Sequence, residues 1–137
     1  MYLFDTDVIS NLFKPNPSER LLAKLDGLEQ RQQFISTITI FEIVYGAAKS
    51  KRTEYHLKNL NDVLLPSVNI VGFDTKAAFL CGHIRAILET QGRRLSLADI
   101  QIAAIAMANE LTLITGNTRH FMRIEGLKVE NWLTQES

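Results

Sequence analysis

A single cysteine in 137 residues excludes an internal disulfide. Cys81 lies in the apolar stretch Ala77-Ala78-Phe79-Leu80-Cys81, which reads as core, and a reducing cytoplasm suits it best. Net charge is also absent, because 15 basic side chains balance 15 acidic ones, so no whole-molecule field steers the chain onto a polyanion. Contact with nucleic acid must come from local patches. The opening Met1-Tyr2-Leu3-Phe4-Asp5 lacks a basic stretch and breaks its apolar run with an acid, which is not the form of a signal peptide. Long hydrophobic runs are missing too: Asp99, Gln101, Asn109 and Glu110 interrupt Leu97 to Ile114, so no membrane span is expected. There are no repeats, low-complexity segments or linkers. No His or Cys pair has zinc spacing, and His56, His83 and His120 sit in unrelated contexts without a nucleophile motif.

What is present is an ordinary globular composition, 46% hydrophobic and 22% charged. A chain of this length fits one domain, 1–137, able to bury roughly 68–70% of its unfolded surface. Short apolar runs at Tyr2 to Phe4, Phe34 to Ser36, Val68 to Val71 and Leu111 to Thr115 read as strands, with a fifth edge strand at Leu127 to Val129. Helical segments lie between them. Asp7 is positioned to cap a helix from Val8 that Pro15 and Pro17 end, and Leu21, Leu22, Leu25 and Leu28 mark a second helix. Thr39 and Glu42 have capping-box spacing ahead of a stripe toward Lys51, and a further helix is predicted from Thr53 to Leu64. Asp74 and Ser96 are read as caps of the last two long helices. Strands separated by helices predict an α/β fold, an α/β/α sandwich around a mostly parallel sheet of four to five strands.

Three carboxylates fall where a strand hands over to a helix or where a helix begins: Asp5, Glu42 and Asp99. In an open α/β sheet such positions converge at the carboxyl ends of the strands. Each has a plain alternative as a cap or turn residue, since an acid in a first helical turn is worth about 0.3–1 kcal/mol. Together they point further. At an effective dielectric near 20, two unit charges ~4 Å apart repel by about 4 kcal/mol, and no basic run adjoins these acids. A divalent cation resolves that repulsion, and oxygen ligands favour Mg²⁺ or Mn²⁺. Such an ion activates water against a phosphodiester.

Four segments in order, Leu3-Phe4-Asp5-Thr6-Asp7-Val8-Ile9, Ser36-Thr37-Ile38-Thr39-Ile40-Phe41-Glu42, Leu97-Ala98-Asp99-Ile100-Gln101-Ile102-Ala103-Ala104 and Leu113-Ile114-Thr115-Gly116-Asn117, resemble those of PIN-domain ribonucleases. The likeness is closest to VapC-type toxins of type II toxin–antitoxin pairs and continues through Asn117 to Trp132. It implies a PIN-like sandwich and a Mg²⁺- or Mn²⁺-dependent endoribonuclease whose metal is held by Asp5, Glu42 and Asp99. The family often adds a fourth acid where this chain has Asn117, and many relatives carry Asn where it has Asp7. Whether Asp7 replaces the missing charge, and whether one metal or two is held, stays open at this point. The resemblance also implies a cognate VapB-type antitoxin, operator DNA contact only through that antitoxin, an RNA substrate, a homodimer and no membrane partner.

Other residues carry two readings each. Thr115 either orients a carboxylate or simply ends a strand. Lys49, Lys51 and Arg52 at the end of the Glu42 helix, Arg93 and Arg94 before Asp99, and Arg119, His120 and Arg123 either hold RNA phosphates or solvate the surface. Phe121 and Trp132 either stack on bases or pack the C-terminal segment. The apolar faces of Thr53 to Leu64 and Asp74 to Thr90 are either core or dimer surface. Two other functions compete with the nuclease. A catalytically weak PIN domain would only bind RNA or protein. A haloacid-dehalogenase-like phosphatase would use Asp5 as nucleophile in its D-x-D opening, but it needs a late acidic motif that Ile114 to Asn117 lacks.

Overall fold

The computed structural model describes residues 1–134. The chain begins with β1 (Tyr2–Phe4), α1 (Thr6–Leu12), α2 (Glu19–Asp26), β2 (Gln33–Ser36) and α3 (Thr37–Lys49). It continues through α4 (Thr53–Lys58), β3 (Asn69–Val71), α5 (Thr75–Thr90) and α6 (Leu97–Ala108). β4 (Thr112–Ile114), the short α7 (Thr118–Phe121) and β5 (Val129–Glu130) complete it. All four strand pairings are parallel, in the order β3-β2-β1-β4-β5. The sandwich expected from the strand–helix alternation is therefore present, with its fifth strand one to two residues later than Leu127 to Val129.

Alternation along the strands sorts the core into two layers. Leu3 and Leu113, paired in register, face one layer with Ile102, Ile105 and Phe121. Phe4 and Ile114, the next pair, face the other with Val8, Leu21, Ile35 and Trp132. Fully burying one such side chain contributes about 1.5–3 kcal/mol. α6 lies in the first layer with six buried positions, among them Ala103, Ala104 and Ala106, whose small side chains let it pack closely on α5. α5 meets it with a stripe of Ala77, Cys81, Ile84 and Leu88. Cys81 is buried and free, as its apolar setting predicted.

Three helix ends differ from the sequence reading. α1 is capped by Asp5, whose carboxylate accepts from the Thr6 N–H at 2.8 Å, and Asp7 lies inside the first turn. α3 is capped by Ser36, whose hydroxyl accepts from Thr39 N–H at 3.0 Å; the Thr39–Glu42 capping box does not form, because helix geometry starts two residues earlier. The predicted helix from Thr53 to Leu64 is α-helical only to Lys58 and continues as a π-helical turn, Asn59–Leu64, into a 3-10 turn at Pro66. Among the described residues, no helix is long and apolar enough to cross a membrane.

The chain builds outward from β1 to β2 and β3, then returns to lay β4 on the opposite side of β1. The strand order reverses between β1 and β4. A crevice opens beyond the carboxyl ends of strands at such a reversal. Asp5 follows β1 and Thr115 follows β4, so both stand at its mouth.

Candidate active site

Asp5 is only 5% exposed, and each of its oxygens is held by a different part of the fold. Oδ1 takes the Thr6 N–H, and Oδ2 takes the Thr115 hydroxyl at 2.8 Å. Thr115 is itself fully buried, and its Oγ1 accepts the Asn117 N–H at 3.0 Å, which fixes the direction of its proton. The sequence left Thr115 open between a carboxylate partner and a strand end; it is the partner.

Asp7 joins from the first turn of α1. Its Oδ2 accepts the Gly116 N–H at 2.9 Å and the Asn117 side-chain amide at 3.4 Å. Its Oδ1 is buried without a hydrogen-bond partner among the described residues. Gly116 was not singled out by sequence reasoning, yet a methyl there would lie 2.8 Å from Asp7 Oδ2 and from Leu133. Only glycine allows that approach. The signal was its place directly after Thr115, where a backbone must turn beneath the acids.

Burial pushes the Asp5 carboxyl up to about 7, and the neighbouring Asp7 charge adds to it. Hydrogen bonds from Thr115 and Thr6 oppose that rise, and Asp99 contributes a further increment. Asp7 is also raised, chiefly by burial, with Asp99 again adding to the effect. Asp5, Asp7 and Asp99 therefore act on one another across the crevice. Asp99 is placed there by α6, whose cap Ser96 accepts the Asp99 N–H at 3.1 Å.

Glu42 reaches the same region from α3 through a chain of hydroxyls. Thr6 donates to Glu42 Oε1 at 2.7 Å and lies 3.0 Å from the Thr39 hydroxyl, which in turn meets Ser36 at 3.4 Å. Thr6 thus links two of the acids, its N–H on Asp5 and its hydroxyl on Glu42. Among the described residues, no three His, Cys, Asp or Glu side chains close into a metal cage. The donor set nevertheless suits a cation such as Mg²⁺, which commonly takes one or two carboxylates and keeps several waters. Two features support that fit: the orphaned Asp7 oxygen, and the absence, among the described residues, of any basic side chain within 4.0 Å of these acids.

Arg93 and Arg94 are exposed on the turn before α6 and, with Arg85, border a cavity of about 620 Å³. Arg119 and Arg123 are exposed after Asn117. Phe121 and Trp132 are buried; Trp132 packs against Tyr2 and Phe4, ring centroids 4.8 and 5.9 Å away. Neither stacks on an outside base.

The sequence matches the PIN domain family model over residues 2–127. It is 33% identical to the tRNA(fMet)-specific endonuclease VapC of Shigella flexneri, over 96% of this chain and 97% of that one. It is also 33% identical to Toxin FitB of Neisseria gonorrhoeae, over 96% and 99%. The crystal structure of VapBC2 from Rickettsia felis bound to a DNA fragment from their promoter superposes with a TM-score of 0.88, at 32% identity over 96% of this chain and 98% of that one. With the sheet order, the acids at the reversal point and these likenesses over nearly its whole length, the chain belongs to the PIN-domain family, among its VapC ribonucleases.

Proposed function

We propose that this protein is a metal-dependent endoribonuclease, the toxin of a type II toxin–antitoxin pair, which hydrolyses RNA phosphodiester bonds in the cytoplasm. One observation carries the reading: a buried Asp5 carboxyl, held by two fixed donors and raised to about 7 beside Asp7 and Asp99, with no cation paired to it among the described residues. Asp5 and Asp99 would hold Mg²⁺ or Mn²⁺, with Glu42 and Asp7 as further oxygen donors. When bound, the ion supplies Lewis-acid activation of water and charge neutralisation at the phosphate.

The chain's own residues supply orientation. The Thr115 hydroxyl and the Thr6 N–H aim Asp5 into the crevice, and both hydrogen bonds favour its carboxylate against the rise that burial causes. Gly116 and Asn117 hold Asp7 by hydrogen bonds, and Thr6 holds Glu42. Arg93, Arg94, Arg119 and Arg123 would neutralise RNA phosphates on either side. A VapB-type antitoxin is the partner that fits this family, with operator DNA bound through it. A homodimer would cover the exposed apolar side chains Phe41, Val44 and Tyr45 of α3 and Phe79 and Ile87 of α5.

Induced expression in a bacterial host tests the reading. Wild type should arrest growth and cleave RNA in extracts, while Asp5→Asn and Asp99→Asn should do neither. Equal growth inhibition by all three would overturn it, leaving a domain that acts by binding. Sequencing of RNA ends after brief induction identifies the target.

A further inference from the structure

We propose that the groove running from Thr6 and Glu42 toward α4 is a stacking subsite for a nucleotide that flanks the bond to be cut, with Tyr55 and Arg52 as its platform. This rests on the endoribonuclease reading and deepens it, by placing the RNA strand on one side of the acids.

The groove has a volume of about 590 Å³, within the range of pockets that hold small-molecule-sized groups. Thr6 and Glu42 line one part of it, Arg52, Tyr55 and His56 another, and Lys14 belongs to the wall from the α1 side. It is therefore continuous with the acidic crevice. The Arg52 guanidinium carbon sits 3.9 Å from the Tyr55 ring centroid, and the His56 ring meets Tyr55 edge-on at 5.3 Å. Tyr55 is 46% exposed despite this stack.

Packing does not explain the arrangement. A core aromatic would be covered, as Phe121 and Trp132 are, and a cation placed for helix stability would meet an acid. Arg52 precedes α4 in a non-helical conformation, and among the described residues neither it nor Lys14 has a carboxylate within 4.0 Å. Unpaired cations beside a planar, half-open stack are what single-stranded nucleic acid uses: phosphates meet the charge and a base adds to the stack. The acids at one end demand a metal for the scissile phosphate, whereas Lys14 and Arg52 meet the next phosphates directly. The rest of the wall, Ile9, Phe13, Ile43, Leu60 and Leu64, is apolar, and a protein segment seated on it is the alternative that the test separates from RNA.

Stacking tolerates any base, so the subsite contributes affinity along the strand rather than sequence choice. The test is cleavage of a mixed-sequence single-stranded RNA dodecamer in Mg²⁺ by wild type, Arg52→Ala, Tyr55→Ala and Tyr55→Phe. A second readout is quenching of 2-aminopurine RNA by the inactive Asp99→Asn protein with and without Tyr55→Ala. Arg52→Ala and Tyr55→Ala should raise KM about tenfold to a hundredfold. In both, kcat should stay within about threefold of wild type; Tyr55→Phe should stay close to wild type, and Tyr55→Ala should abolish the quenching. Unchanged KM and quenching, a loss confined to kcat, or equal damage from Tyr55→Phe and Tyr55→Ala would overturn the subsite while leaving the nuclease intact. Unchanged RNA cleavage with lost antitoxin capture would assign the groove to the protein partner and overturn it too. If no protein cleaves RNA, the nuclease reading falls and the subsite with it.

Discussion

The Gly116 N–H donates to Asp7 Oδ2 at 2.9 Å, and the space where Gly116 would carry a Cβ is already taken, 2.8 Å from that same oxygen. Gly116→Ala should therefore push Asp7 out of place without touching any acid chemically. Groups that orient metal-binding side chains typically contribute 10–100-fold to affinity or activity, so a loss of at least about tenfold is expected. RNA cleavage measured across a Mg²⁺ titration should show it as a higher metal requirement. A wild-type titration curve would show that the contact does not matter.

Asp7 and Asn117 touch across the crevice, amide nitrogen to carboxylate at 3.4 Å. The family resemblance implies an acid at the second of these positions and, separately, an amide at the first. Exchanging the two, Asp7→Asn with Asn117→Asp, keeps one acid and one amide in contact with donor and acceptor reversed. Asp7→Asn alone should lower cleavage by about tenfold or more, and the exchange should recover most of that loss. A double variant no better than the worse single one would show that the charge must come from α1.

Metal-free protein should lose stability as the pH rises from about 4 to about 7. Below the unfolded value of 3.8 both states hold the Asp5 proton; above it the unfolded chain releases the proton, while the folded one keeps it until about 7. The unfolded state then binds fewer protons, so unfolding becomes easier across that window, by up to about 4 kcal/mol. Chemical denaturation in chelator at pH 5 and pH 8 measures the part of it above pH 5, about 2.7 kcal/mol. Asp5→Asn should shrink it to the part that Asp7 contributes, and Mg²⁺ should restore stability at pH 8. A pH-independent wild type would mean that burial does not hold the proton on this carboxyl.

Two helices end in the same way, with different residues at the left-handed position. After α5 it is Gly92 (φ +67°), with Arg93 N–H on Leu88 O; after α6 it is Glu110 (φ +54°), with Leu111 N–H on Ala106 O. Glutamate pays a steric cost there that glycine does not. Glu110→Gly should stabilise the fold by about 0.5–1 kcal/mol, read as a melting rise of roughly 2–4 °C, with cleavage unchanged. Destabilisation would mean that the side chain contributes more than its backbone strain costs.

The layers and the parallel sheet were legible in the sequence because apolar runs and helical stripes alternate cleanly from Tyr2 onward. Asp5 and Asp99 were legible for a related reason: an acid at the end of a buried strand or the start of a buried helix is conspicuous against its neighbours. What the pattern hides is which acid caps which helix. Asp5 and Asp7 are two residues apart, and only the return of β4 beside β1 decides that Asp5 caps α1 while Asp7 turns toward Gly116. Thr39 looked like a cap because Glu42 follows at the right interval, yet Ser36 reaches the helix first and leaves Thr39 free to support Thr6. Thr6 itself carried no pattern at all; its role exists only because α1 and α3 pack face to face. The arginines are exposed as surface charges would be, and their spacing alone did not separate binding from solvation.

The Thr115 bond to Asp5 spans 110 positions. A ribosome therefore extrudes the acid 110 residues before the hydroxyl that seats it. Until β4 emerges and slides in beside β1, the nascent chain has neither its middle strand pair nor an oriented carboxylate. Assembly order thus withholds the seated carboxylate until the two halves of the sheet have met.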